Sequence, residues 1–103
     1  METLDDAGYR HRGVAVVTLR QLDRWADRPK GTAFRAFKRA RPALIEGRDF
    51  FVESIAEPAD ADTAALIERL RADAALYASS QVAILLAREA CARLDPDGGG
   101  AGA

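Results

Sequence analysis

The run Asp27-Arg28-Pro29-Lys30-Gly31 is the strongest constraint on what this chain can fold into. Pro29 lacks a backbone donor and biases Arg28 away from helical angles, while Gly31 frees the backbone, so no helix continues through it. Both flanks nevertheless carry helical patterning. Before the run, Leu19, Leu22 and Trp25 or Ala26 recur at helical spacing, and Thr18 with Gln21 fits a capping box that satisfies the free N–H groups of a helix start. After it, Thr32 is the expected N-cap of a second helix whose buried stripe is Ala33, Phe34 or Ala36, Phe37 and Ala40. Pro42 ends or kinks that helix. The pattern predicts two short helices joined by a tight turn.

Around this pair, Val14-Ala15-Val16-Val17 reads as a β-branched strand, and Leu44-Ile45 leads through the turn Glu46-Gly47-Arg48-Asp49 into Phe50-Phe51-Val52, an aromatic strand or wing. Asp60 or Asp62 caps a third helix from Thr63 to about Ala72, with Leu66, Ile67 and Leu70 inward. Leu76-Tyr77-Ala78 is expected to pair with Phe50-Phe51-Val52, and Ser79 or Ser80 to cap a last helix, Gln81 to Leu94. Residues 1–12 are polar and expected to be flexible, and the Gly-rich run 95–103 to be a disordered tail, leaving one domain over 13–94. The expectation is a small α+β, winged-helix-like domain with a helix-turn-helix unit, short strands and a C-terminal helix. No apolar run approaches the ~18 residues of a membrane span, and Met1 to Arg12 has neither a secretory nor a transit pattern, which points to the cytoplasm.

Catalytic chemistry finds little to stand on. Cys91 and His11 are each the only residue of their type, so a disulfide framework and a cysteine-rich zinc site are excluded by count. Eighty residues apart, they read as a small buried thiol and a solvent-exposed imidazole rather than a nucleophile and its base. Asp60 with Asp62, and Glu46 with Asp49, read as capping and turn residues. Gly98-Gly99-Gly100 follows no strand and precedes no helix, so it is not a phosphate loop. Trp25, Phe34, Phe37, Phe50 and Phe51 look like core rather than a base-stacking platform. The expectation is a binding protein with no enzyme activity, no cofactor and no metal.

Charge is divided unevenly. From Gly8 to Phe50 eleven basic residues face four acidic ones, while from Phe51 onward four arginines face nine acids. Such asymmetry suits an anionic partner on one surface. Arg35, Lys38, Arg39 and Arg41 fall largely outside the buried stripe of the second helix, where they suit phosphate contact and a fork onto guanine in double-stranded DNA. Lys30 and Thr32 lie at the turn and helix N-terminus, whose backbone N–H groups can hold a phosphate.

The segments Val16-Val17-Thr18-Leu19, Arg28-Pro29-Lys30-Gly31-Thr32-Ala33, Phe37-Lys38-Arg39 and Leu44-Ile45-Glu46-Gly47-Arg48-Asp49-Phe50-Phe51-Val52 resemble the ORF-six N-terminal domain of phage antirepressor-like and large DNA-virus proteins, related in organisation to the KilA-N and Bro-N modules. Its most specific pieces are Gly31-Thr32-Ala33 before the aromatic and basic helix, and Ile45-Glu46-Gly47-x-Asp49-Phe50-Phe51. The resemblance covers roughly 13–52, with a weak echo over Leu76 to Arg88 of the closing segment. It implies a phage or prophage DNA-binding regulator of mixed α and β structure, with Glu46, Gly47 and Asp49 structural and DNA contact at Lys30, Thr32, Arg35, Lys38 and Arg39. Family members often carry a second C-terminal domain, whereas this sequence runs into a Gly-rich stretch. That difference suits a small regulator or, alternatively, an anti-CRISPR-like inhibitor that turns the scaffold against a host defence or regulatory protein.

In the expected last helix, Val82, Leu85, Leu86 and Ala90 form one apolar stripe and Ile84, Ala87, Cys91 and Leu94 a second. A surface helix needs only one. The second stripe is therefore expected to be a homodimer interface setting two basic helices about 34 Å apart on one duplex, the alternative being a central helix buried on both sides.

Overall fold

The computed structural model describes residues 8–94. The expectations for residues 1–7 and for the tail 95–103 concern residues outside that range. Within it the α+β expectation holds, with two corrections to its parts. The chain starts its sheet earlier than expected: β1, Tyr9–His11, pairs with β2, Val14–Thr18, in the register Tyr9↔Val16 to His11↔Val14. The connecting residues, Arg12 (φ 51) and Gly13 (φ 81), are both left-handed. That is the two-residue turn whose twist matches antiparallel strands. Residues 9–12 thus belong to the domain, and His11 is buried with its Nε2 2.7 Å from Glu53 Oε2 and its ring edge-on to Phe51, not exposed.

From β2 the chain passes through the expected capping box, with Thr18 Oγ1 accepting from Gln21 N and Gln21 Oε1 accepting from Thr18 N, into α1, Leu19–Trp25. Helix α2, Thr32–Ala40, follows the Pro29 turn, and a short 3-10 segment, Arg41–Ala43, forms where Pro42 stops it. Strand β3 is Phe50–Ser54, and α3, Ala61–Ala72, is capped by Asp60, whose carboxylate accepts from Thr63 N at 2.8 Å.

The second correction concerns the C-terminal part. Leu76-Tyr77-Ala78 forms no strand, and Gln81 to Leu94 is not a helix. Instead β4, Val82–Ala87, lies between β2 and β3, antiparallel to both, and is followed by a second 3-10 segment, Arg88–Arg93. Strand order is β1-β2-β4-β3. One face of the sheet packs Val16, Phe51, Ala83 and Leu85 against Leu66 and Leu70 of α3. The other packs Val17, Phe50 and Leu86 against Phe37 of α2, with Leu19 and Leu22 of α1 alongside. A sheet covered on both faces needs apolar side chains on both sides of its central strand, which is why Val82–Ala87 is an unbroken apolar run.

The two stripes assigned to a last helix do not survive as two faces: Leu85 of the first faces one layer, while Leu86 and Ala90 of the first and all of the second belong to the cluster of the other. Ala87 is buried, and Ile84, Cys91 and Leu94 are half-buried against the same cluster as Leu86. The apolar stripe from which a homodimer is expected is therefore partly covered within the chain. Among the described residues no helix is long and apolar enough to cross a membrane.

Leu85 and Leu86 are both fully buried but face opposite layers. Leu85→Ala and Leu86→Ala are each expected to lose about 2–5 kcal/mol of unfolding free energy in denaturant titrations. Tolerance of either truncation would show that one face of the sheet is not packed.

Candidate nucleic-acid interface

The placement of α2 rests on a residue of α1. Asp23, in the last turn of α1, is 2% exposed. Its Oδ1 accepts the Ala33 N–H at 2.7 Å, its Oδ2 accepts the Gly31 N–H at 3.1 Å, and the Tyr77 hydroxyl donates to the same Oδ2. A carboxylate is favoured where the N–H groups of a helix start converge. Gly31 makes this approach with φ 95, and a Cβ there would come 3.2 Å from Arg35 Nη1. Burial and the hydrogen bond to Asp23 push the Tyr77 phenol up to about 12, so it stays a donor.

This corrects two expectations. The helix is capped by Gly31 backbone and the distant Asp23, while Thr32 is its first residue and is buried, 8% exposed. The N–H groups expected to hold a phosphate are occupied by the Asp23 carboxylate. Asp23 entered the sequence argument only as a negative charge. A signal was present, since an acid in the last turn of a helix opposes that helix's dipole unless another group needs it.

With α2 held from below, its outer face is the cationic one. Ala33, Ala36 and Phe37 are buried, and Arg35, Lys38 and Arg39 are exposed, as is Arg41 at the start of the 3-10 segment. Phe34 falls outside the buried stripe, 43% exposed, with the Lys38 ammonium 5.3 Å from its ring centroid. Arg41 lies 5.4 Å from the Phe50 centroid. Among the described residues, Arg35, Lys38 and Arg41 enter no ion pair. Lys30 is exposed at the turn, but its ammonium sits 5.1 Å from the Tyr77 ring and 3.4 Å from Ser79 Oγ, on the side of α2 nearest the loop before β4. The structure therefore leaves Arg35, Lys38 and Arg39 exposed on the outer face of α2, with Arg41 exposed after its end, and leaves Thr32 out of that surface.

The aromatic residues divide in the same way. Phe37, Phe50 and Phe51 are core, whereas Trp25 and Phe34 are substantially exposed. Phe34 borders an apolar concavity of about 250 Å³ shared with Leu19, Leu76, Tyr77, Val82 and Ile84. Cys91 donates weakly to the Ala87 carbonyl at 3.6 Å, and burial pushes its thiol up to about 11, which keeps it from being a ready nucleophile. Comparison with protein-family models, curated proteins and solved structures finds no match for this chain.

In the turn before β3, Asp49 is buried and accepts from Ile45 N at 2.9 Å, Arg48 Nη2 at 3.2 Å and Arg93 Nη1 at 3.0 Å. The Arg48 hydrogen bond first, and the Ile45 N–H next, lower its carboxyl from 3.8 to about 2. A carboxyl that is more acidic in the folded state stabilises the fold above the unfolded value and loses that contribution as pH falls through the folded one. The melting temperature is expected to fall between about pH 4 and pH 2, and to fall less steeply in Asp49→Asn. Asp23→Ala is expected to cost at least about 2 kcal/mol, since it removes a cap and strands its donors. A near-neutral effect in urea titration would contradict the role given to Asp23.

Proposed function

We propose that the protein binds duplex DNA through the exposed face of α2, as a small regulator with a winged-helix-like arrangement of helix pair and short antiparallel strands. The observation that carries this is the face itself: Arg35, Lys38 and Arg39 are exposed together on the outer side of a helix fixed by Asp23, and Arg41 is exposed just beyond its C-terminal end. Nine residues of α2 make a rod about 13 Å long. A major groove about 12 Å wide admits it, with Arg and Lys reaching the phosphate walls and Arg able to fork onto a guanine edge. Helix α1 braces α2 from behind. The likeness to the ORF-six N-terminal domain supports the same use of the helix pair, and on this reading the protein acts in a bacterial host's cytoplasm.

A second reading is favoured by one observation. The apolar concavity beside Phe34 suits contact with a host protein rather than with phosphate, as an inhibitor of a defence or regulatory complex would require. The two readings separate in a pull-down from host lysate: nuclease treatment abolishes retention through DNA and leaves a direct protein complex intact.

DNA binding by the isolated protein is expected to show a log–log salt slope of roughly −3 to −4, as for about four phosphate contacts. Replacing Arg35, Lys38 and Arg39 together by Ala should reduce that slope to roughly −1 and shift stability by less than about 1 kcal/mol, because exposed charges contribute little to folding. No binding at low salt removes the DNA reading, and a collapse of the melting temperature would assign these side chains to the support of the fold.

A further inference from the structure

A separate concavity of about 660 Å³ opens between the β1–β2 hairpin, the turn before β3 and the second 3-10 segment. Arg10, Arg48, Arg88 and Arg93 line it, against the carboxylates of Asp49 and Glu89. Arginines outnumber acids among the residues lining this hollow, and clustered like charges repel unless an anion joins them. The cluster is also built rather than loose. Asp49, buried beneath it, draws in Arg48 through Nε at 3.3 Å and Nη2 at 3.2 Å, and Arg93 through Nη1 at 3.0 Å. Arg10 is fixed by its Nη2 donating to the Gly13 carbonyl at 2.7 Å, across the hairpin turn.

These bonds use only some of the donors. Each guanidinium carries five N–H groups in a planar fork, and the side chains of Arg48 and Arg93 remain 63% and 46% exposed. Their remaining donors are therefore open to solvent while their positions are set from below. A tetrahedral oxyanion with several acceptor oxygens matches converging forks of this kind, whereas a carboxylate satisfies one. We propose that this concavity is a phosphate-binding site, with Arg10, Arg48 and Arg93 as its donors and Asp49 as the residue that positions Arg48 and Arg93. The phosphate is that of a nucleic-acid backbone or of a free phosphate ester. The site does not rest on the α2 surface and shares no residue with it.

The test uses the full chain and two probes. Inorganic phosphate is compared with chloride at equal ionic strength by thermal shift, and a 20-base-pair duplex is titrated by fluorescence anisotropy across a salt series. The variants are the double substitution Arg48→Ala with Arg93→Ala, and Arg10→Gln, which leaves the pairs on Asp49 in place. A free-ester site gives a phosphate-specific rise in melting temperature that Arg10→Gln at least halves and the double variant abolishes. A nucleic-acid site gives no such rise, but each arginine removed shallows the DNA salt slope by about one. If the double variant does not fold, Arg10→Gln decides. Wild-type responses to both probes in every folded variant overturn the proposal, as does a wild type that responds to neither. The Arg35, Lys38 and Arg39 variant serves as the control: wild-type DNA binding in that variant, with the phosphate response retained, would end the α2 reading alone.

Discussion

A single buried carboxylate holds together the parts of this domain that bear on function. Asp23 receives two backbone N–H groups from the start of α2 and the hydroxyl of Tyr77 from the loop that leads into β4. A charge taken out of water is tolerated only when its lone pairs are satisfied, and here the partners come from two separated stretches of chain. The helix pair is thus not a hinge-like hairpin of two amphipathic rods. Its angle is set by hydrogen bonds as well as by packing, and the outer face of α2 is presented to solvent by a support that the face itself does not contribute to.

The cations show a similar division of labour, and it changes the meaning of the charge asymmetry. Arg12 pairs with Glu53 and Asp60, Arg20 donates to the Leu76 carbonyl and Arg24 to that of Ala74. Arg20 and Lys30 also lie over the Tyr77 ring. Much of the basic excess in the N-terminal half therefore tethers α1 and the Pro29 turn to the loop before β4. What is left for an anionic partner is concentrated on α2 and around Asp49, two places that a tally of charge along the chain does not distinguish.

The local parts of the fold were legible in the sequence because their causes are local. Thr18 with Gln21, Pro29 with Gly31, Pro42 and Asp60 each act within a few residues, and the elements they bound are where the pattern places them. Val82–Ala87 was not legible, since Val-Ala-Ile-Leu-Leu-Ala matches a strand buried on both faces and a helix buried on both sides equally well, and only its pairing with Val16–Thr18 and Phe50–Ser54 decides. The cap of α2 failed for the same reason in miniature: Thr32 is the local candidate, and Asp23 wins from a distance. The Arg35, Lys38 and Arg39 face could be read from spacing, while the arginines around Asp49, drawn from both ends of the domain, could not.

The position of β4 in the chain has a consequence for synthesis. Strands β2 and β3 do not touch each other; each finds its inner neighbour only in β4, which follows both of them and α3. A nascent chain emerging from its N-terminus can form the β1–β2 hairpin and the helix pair early, but β2 and β3 present unpaired edges until Val82–Ala87 has cleared the ribosome. Exposed edges of this kind invite pairing with other chains. The domain is therefore committed late, β4 acting as the keystone that turns two separate fragments into one continuous sheet.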